Sequence, residues 1–325
     1  MKKNFGHIPG GKSNLQALLY RFYQTYPLKL WSKYRWFRNS RLPSLLCSLS
    51  KRKSWLTIIN RLGAPGDTLI TANVIRCIKE QYSGLKINCI TPHPELISLD
   101  PNIDSINQTE TFYSFDSTYW ELIVRKEKSQ NIIEHNMLRL GIDKYDYKAG
   151  YYLSEVEKEW AKQKTSQFEK PILAICTKSK EPVKNWSEAN WSELIQNLKD
   201  NFSIIQLGDD KEPSFECVHR YAGKLSMRES GAILSKANYF IGPDSLLMHM
   251  ANGLDIPCTI IFGGSRPVGC FGYSENINLT SAPECSPCWI HEGHQLCQHD
   301  LNCLTKISTS QVLKSINYSI TNNSL

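Results

Sequence analysis

The segment 55–91 constrains the fold more than any other part of the sequence. Trp55–Asn60 is a short apolar, β-branched run, which is typical of a buried parallel strand. A loop rich in Gly and Pro, 61–66, follows it, and apolar positions at helical spacing then predict a helix over 67–81. A second apolar run, 86–91, predicts the next strand. Strand, loop, helix and strand in this order form a βαβ unit, which implies a parallel sheet.

A second series of strands and helices begins after a polar stretch, 164–170, which we interpret as the connection between two domains. Between the two series, the pattern predicts a strand near 122–125, a helix over 131–140 and a capping box formed by Ser154 and Glu157. In the second series, strands are predicted at 171–177, 202–208, 239–242 and 258–262, and helices at 191–198, 227–236, 245–252 and 311–318. The order predicts an α/β protein in which two Rossmann-like domains, 54–168 and 169–325, face a central cleft.

Charge sets the first 53 residues apart as a basic N-terminal extension, for which we predict helical structure. Residues 1–66 contain thirteen Lys or Arg and no Asp or Glu, whereas the remaining 259 residues carry 25 basic and 31 acidic side chains. The basic residues alternate with Trp, Tyr and Leu, which suits a segment lying at the surface of a membrane. Two alternatives are a helix pair packed on the core with a solvated basic face, and a segment that binds nucleic acid.

The sequence contains neither a long apolar segment nor the pattern of a secretory signal. No run of 18 apolar residues occurs, and the N-terminus has no apolar core behind its two lysines. We therefore expect a cytoplasmic protein, held peripherally at the inner face of the inner membrane by residues 1–53.

The loop after the first predicted strand is the first candidate site. Gly63 and Gly66 would let the backbone approach a ligand closely, and Asp67 would stand at the edge of the cleft. A carboxylate there could take a proton from an attacking hydroxyl group. The alternative is that Asp67 is simply the N-cap of the following helix. The spacing is not GxGxxG, so a dinucleotide fingerprint is absent.

Two further candidates follow strands of the second domain. Thr177 and Lys184 belong to a loop whose hydroxyl and ammonium groups could hold a diphosphate, or could form a solvated lysine loop. Asp244 and Ser245 open a helix directly after a strand, and His249 lies one turn further on. A helix N-terminus with a hydroxyl group is an anion site, and the alternative is a capped helix with a buried histidine.

Four of the eleven cysteines fall within nineteen residues: Cys285, Cys288, Cys297 and Cys303. Four thiolates at short spacing can complete a tetrahedral zinc or iron site. Because such a site needs no open position, we interpret it as structural. The alternatives are two disulfides or unligated thiols. The seven other cysteines are scattered along the chain.

Together these motifs resemble glycosyltransferase family 9, the heptosyltransferases of bacterial lipopolysaccharide assembly. The resemblance runs over roughly 55–318 with the motifs in the family's order. It is carried by Arg61-Leu62-Gly63-Ala64-Pro65-Gly66-Asp67, by Lys184-Asn185-Trp186 with Trp191, by the stretch from Tyr239 to His249, and by Cys285-Ser286-Pro287-Cys288-Trp289 with Cys297 and Cys303. Leu246 stands where the family usually has Gly, and the basic extension lies outside the common pattern.

The resemblance implies a GT-B fold and an inverting sugar transfer that requires no metal, usually of heptose from ADP-heptose. Asp67 would be the general base on the acceptor hydroxyl, and Lys184 would neutralise the donor diphosphate. Thr177, Asp244, Ser245 and His249 would lie at the donor, and Gly63 and Gly66 in the acceptor loop. The expected partners are a nucleotide-sugar, a glycolipid or glycan acceptor such as the lipopolysaccharide core, and the inner membrane surface, but no nucleic acid. The alternatives are transfer to a protein such as an adhesin, and a degenerate member that serves as a scaffold.

Overall fold

Two parallel β-sheets organise the protein. The computed structural model describes residues 55–108, 114–290 and 297–323. The first sheet has the strand order β3-β2-β1-β4. Its strands are β1 (Trp55–Asn60), β2 (Lys86–Ile90), β3 (Ser105–Ile106) and β4 (Ser114–Ser117). Its helices are α1 (Pro65–Gln81), α2 (Trp120–Arg125) and α3 (Ile132–Leu140), with a short 3-10 helix at Pro94–Ile97.

The second sheet has six parallel strands in the order β10-β9-β8-β5-β6-β7. They are β5 (Ile172–Ile175), β6 (Ser203–Gln206), β7 (His219–Arg220), β8 (Tyr239–Pro243), β9 (Cys258–Ile261) and β10 (Ile277–Leu279). The helices are α4 (Glu155–Thr165), α5 (Glu188–Leu198), α6 (Met227–Leu234), α7 (Leu246–Gly253), α8 (Val268–Phe271), α9 (Asn302–Thr305) and α10 (Thr309–Asn323), with a 3-10 helix at Pro182–Lys184.

Burial explains the apolar strand sequences. β5, β8 and β9 are buried along their whole length, because helices cover both faces of the second sheet. In the first domain α1 buries Leu69, Val74 and Ile75 completely. Its N-cap is Ala64, its first residue is Pro65, and Asp67 occupies the third helical position. The interpretation of Asp67 as the N-cap is therefore wrong.

The chain crosses between the domains along a segment that packs on the second one. The amide of Ala149 donates to Asn252 at 2.9 Å, and Tyr151 lies against Gly231 and Gly253, where added Cβ atoms would come within 3.0 Å of it. Helix α4 then packs on α6. The predicted boundary near 168 follows α4 in the chain.

Most predicted elements are confirmed, including the helix predicted over 131–140, which is α3, and the capping box at the start of α4. The strand predicted at 122–125 is wrong, because these residues belong to helix α2. Leu122 is buried there, but Val124, which would share its face in a strand, is 57% exposed. The strand that pairs with β1 on the side away from β2 is instead β4, which lies before α2 in the chain.

The predicted helical extension, 1–53, lies outside the described residues. Within the residues that the structure describes, no helix combines the length and apolar character needed to cross a membrane.

Candidate functional site

A cavity of about 610 Å³ lies between the two domains. Each wall begins where a parallel strand ends, which is where ligands bind in open α/β sheets. The first domain supplies Gly66 and Asp67 after β1 and Tyr119 after β4. The second supplies Lys178 to Glu181 and Lys184 after β5, Asp244 and Ser245 after β8, and Arg266 after β9. The predicted cleft is thus present, and most of the predicted site residues line it.

Asp67 lies on the first-domain wall in a largely buried position. The Tyr119 hydroxyl donates a hydrogen bond to its carboxylate, and the Ala64 amide donates another at 3.4 Å. Burial raises the pKa of Asp67 to about 6, an effect that these hydrogen bonds and the nearby Lys184 cation partly offset and that Asp244 reinforces. A carboxyl group with this pKa is suited to accept a proton near neutral pH.

Lys184 and Asp244 form an ion pair on the opposite wall. The Lys184 Nζ lies 2.9 Å from Asp244 Oδ2 and 3.8 Å from Glu181 Oε2. Both partners are largely buried, with exposed side-chain fractions of 13% and 7%. Because both charges also act on Asp67, the candidate base and the ion pair belong to one electrostatic unit.

Helix α7 presents its N-terminus to the cavity. Ser245 is its N-cap in extended conformation, but the hydroxyl makes no capping hydrogen bond and lies beside the Cys176 thiol. The first N–H groups of a helix have no partner inside the helix. Leu246 and Leu247, which carry such groups, both line the cavity. This end of α7 can therefore receive an anion.

His249 lies one turn into α7 and is buried. Its Nδ1 lies 2.6 Å from the Tyr273 hydroxyl. A Cβ on Gly66 would come within 3.2 Å of its Nε2, so the glycine allows the two domains to approach here. Burial lowers the pKa of His249 to about 4, an effect that Lys184 reinforces and Asp244 opposes. The imidazole is therefore neutral at physiological pH.

Two predicted residues, Thr177 and Gly63, do not line the cavity. The Thr177 amide donates to the buried Glu212 carboxylate at 2.9 Å, and the Thr177 hydroxyl bonds to the same carboxylate. Thr177 therefore anchors the loop that carries Lys178 and does not line the cavity. Gly63 has φ +81°, which explains its glycine, and its amide donates to Asn60 Oδ1 at 3.0 Å. Of the two loop glycines, Gly66 alone lines the cavity.

Sequence reasoning missed Tyr119, Arg266 and Glu212. The guanidinium of Arg266 lies 5.7 Å from the Phe271 ring centroid, 5.4 Å from that of Trp289 and 3.4 Å from a Glu181 oxygen. Arg266 lies in the loop after β9, as Asp244 lies after β8, so a position after a strand was the available signal. Tyr119 follows β4, whose position was mispredicted, and Glu212 has no local motif.

The four clustered cysteines line one small cavity of about 170 Å³. Burial raises the pKa of the Cys303 thiol, and the charges of the other three thiols act on it. Within the described ranges, which leave out 291–296, no three potential ligands are close enough to form a metal site. The backbone of this segment supports the neighbouring loop, because Cys288 and Trp289 donate to the carbonyls of Gly264 and Ser265 at 3.0 and 3.1 Å.

Comparison with known proteins places this geometry in context. The model of glycosyltransferase family 9 (heptosyltransferase) matches residues 115–297. Lipopolysaccharide heptosyltransferase 1 of Pseudomonas aeruginosa is 28% identical over 117 residues. That alignment spans 33% of this chain and 33% of the relative, so the match covers about a third of the curated protein's length.

Solved structures share the architecture. E. coli ADP-heptose lipopolysaccharide heptosyltransferase II aligns with a TM-score of 0.64 at 15% identity, over 84% of this chain and all of that one. The iron-containing dodecameric glycosyltransferase TibC of enterotoxigenic E. coli aligns with a TM-score of 0.66 at 19% identity, over 82% of this chain and 76% of that one. These likenesses confirm the predicted GT-B fold. With the family model matching more than half of the sequence, the chain belongs to glycosyltransferase family 9, the heptosyltransferase family.

Proposed function

We propose that the chain is an inverting glycosyltransferase that moves heptose from ADP-heptose to a lipopolysaccharide core or a related cell-surface glycan. One observation carries the proposal: Asp67 and the Lys184–Asp244 pair line the same cavity from different domains. A sugar transfer needs a base at the acceptor hydroxyl and positive charge at the departing diphosphate. This cavity offers both on opposite walls.

The second-domain wall suits the donor. Lys184 and the N-terminus of α7 can stabilise the negative charge that develops on the departing diphosphate. Such fixed positive groups can stabilise the diphosphate as a divalent cation would. This supports a transfer that needs no metal ion. Because Lys184 is already paired with Asp244, it is held in place before substrate arrives.

The first-domain wall suits the acceptor. Asp67 is ionised above its pKa of about 6 and can take the proton of an acceptor hydroxyl as that oxygen attacks the anomeric carbon. The new glycosidic bond forms as the bond to the diphosphate breaks. Because the first domain supplies the base and the second supplies the leaving-group site, the hydroxyl can attack from the face away from the leaving group, which would invert the anomeric configuration.

The relatives' ligands favour the same donor. A TibC structure at 18% identity is described as a complex with ADP-D-beta-D-heptose, and E. coli WaaC at 13% identity as a complex with ADP. These ligands belong to those proteins. They make ADP-heptose the first donor to test here.

We further propose that the four cysteines hold a structural zinc or iron ion. The four thiols, all within the part of the chain that the structure describes, line one small cavity, but no three of them are close enough to form a metal site, so binding would require them to draw together. Thiolates are a suitable ligand set for zinc or iron, and the iron-containing TibC makes iron a specific candidate. Cys285, Cys288, Cys297 and Cys303 would hold the ion. Its contribution would be to hold the cysteine segment on the loop that carries Arg266.

Membrane attachment is a separate proposal. The basic extension, 1–53, interleaves cations with Trp and Tyr, which supports peripheral binding at the cytoplasmic face of the inner membrane. Lipid-linked acceptors would be presented at that surface.

The test is a transfer assay with ADP-heptose and a lipopolysaccharide core that lacks its heptose, with the product read by mass spectrometry. We expect a mass gain of one heptose with the wild type and none with Asp67→Asn. Asp100→Asn is the matched control, since Asp100 is a buried aspartate outside the cavity. Heptose found on a protein acceptor instead would favour the adhesin alternative. Absence of donor binding would favour the scaffold, in which Leu246 narrows the phosphate site.

A further inference from the structure

The loop that carries Tyr119 brings a phenol hydroxyl to the candidate base. Tyr119 follows β4, which pairs with β1, and so it reaches the same sheet edge as the loop that leads to Asp67. The Thr118 amide donates to the buried Asn136 at 3.2 Å, and the Trp120 amide donates to the Thr118 hydroxyl at 3.2 Å. The backbone on both sides of Tyr119 is therefore held in place.

The Tyr119 side chain is fixed at both ends. Its hydroxyl donates to the Asp67 carboxylate, and its ring meets the Phe271 ring edge-on at 5.1 Å between centroids. Phe271 belongs to the second domain, so Tyr119 spans the cleft. Both rings and the carboxylate line the cavity in which we place the transfer.

We propose that Tyr119 is a positioning residue for Asp67: the hydroxyl group of Tyr119 lies beside the Asp67 carboxylate and holds it in place at the cavity. Only the expected change in the pH dependence of transfer rests on the proposed function. A hydrogen bond to the charged form favours that form, so the Tyr119 hydroxyl works against the burial that raises the pKa of Asp67.

Several other groups act on Asp67 and must be held constant. The Ala64 amide donates from its own loop, Lys184 faces it from the loop after β5, and Asp244 faces it from the start of α7. Arg266 acts on Tyr119 from the loop after β9. Tyr119→Phe changes none of these groups and keeps the ring contact with Phe271. It removes only the hydroxyl.

The kinetic test is the pH dependence of kcat/KM for Tyr119→Phe. Loss of the hydroxyl should move the acidic limb of the profile upward by about one pH unit, since a hydrogen bond to a charged group is worth about that much. The KM for ADP-heptose should stay unchanged, because Tyr119 lies on the first-domain wall. Tyr145→Phe is the matched control, as Tyr145 is exposed and lies outside the cavity.

A second readout does not depend on transfer. The Asp67 carboxyl can be titrated by NMR in full-length protein labelled at aspartate Cγ, with Asp67→Asn identifying the signal. We expect the titration midpoint of Asp67 to rise in Tyr119→Phe and to stay unchanged in Tyr145→Phe. Superimposable titrations of wild type and Tyr119→Phe would overturn the inference. If the wild type transferred no sugar but the midpoint rose, the proposed function would fail and the inference would stand.

Discussion

Gly66 in the first domain lies directly against the imidazole ring of His249 in the second. A Cβ at Gly66 would sit 3.0 Å from His249 Cδ2 and 3.2 Å from Nε2. The His249 ring cannot easily move away, because its Nδ1 is hydrogen-bonded to the Tyr273 hydroxyl. This contact joins the N-terminal end of α1 to α7, and so it fixes the distance between the base and the donor site.

Gly66→Ala should lower both stability and activity. The methyl group would push α1 away from α7, which we expect to cost about 1–3 kcal/mol of unfolding free energy and to lower kcat more than donor affinity. Denaturant unfolding and transfer assays measure the two effects. Gly84→Ala is the control, since nothing lies within 4 Å of the added Cβ. Equal behaviour of the two variants would contradict the role of the Gly66–His249 contact.

Asp67→Asn should stabilise the fold at neutral pH while it removes activity. The folded protein raises the pKa of Asp67 from 3.8 to about 6. Its carboxylate is therefore destabilising above pH 6, by about 3 kcal/mol. The extra unfolding free energy of Asp67→Asn should be fully present above pH 6, the pKa of Asp67 in the folded protein. It should vanish as the pH falls below 3.8. Unfolding free energies of both proteins across this range measure the effect.

If the unfolding free energies of wild type and Asp67→Asn differed by the same amount at every pH, the raised pKa of Asp67 could not be the cause of the stabilisation. Donor binding by the variant should stay intact, because the carboxylate lies on the acceptor wall. If Asp67→Asn bound ADP more weakly than wild type, Asp67 would have to be assigned to the donor site instead of the acceptor site.

The Lys184–Asp244 pair should show strong coupling. Lys184→Met leaves Asp244 as a buried charge without its closest cation, which we expect to cost about 3–5 kcal/mol and to weaken ADP binding. The double variant with Asp244→Asn should recover part of the lost stability but not the affinity. Lys158→Met is the control, since Lys158 belongs to an exposed pair with Glu155. Additive effects of Lys184→Met and Asp244→Asn would show that the pair is not a functional unit.

The cysteine segment should lose its order when its metal is removed. We expect about one zinc or iron ion per chain in protein purified under reducing conditions, and a lower melting temperature after chelation. Cys285→Ser with Cys288→Ser should abolish metal binding. Cys217→Ser should not, since Cys217 is exposed and outside the cluster. Wild type that contains no zinc or iron as purified, or whose melting temperature the chelator leaves unchanged, would refute the site.

The sequence predicted β1, β2, β5, β6, β8 and β9, because buried parallel strands have continuous apolar runs. It did not predict the short strands β3, β4, β7 and β10. It located Asp67, Lys184, Asp244, Ser245 and His249 by their place after strands. It could not show that the Thr177 hydroxyl is hydrogen-bonded to Glu212, because these residues are 35 positions apart in the sequence and meet only through tertiary packing. It missed Tyr119 for a related reason. The short strand β4 carries too few apolar residues to mark its own end, and Tyr119 follows that end.

The most direct test of the account is thermal stabilisation of the full chain by ADP, UDP, GDP and CMP. A ligand that binds the folded state alone raises the melting temperature with its concentration. We predict a selective rise with ADP that Asp67→Asn retains and Lys184→Met loses. No rise with any nucleotide would contradict a nucleotide-sugar site in this cavity.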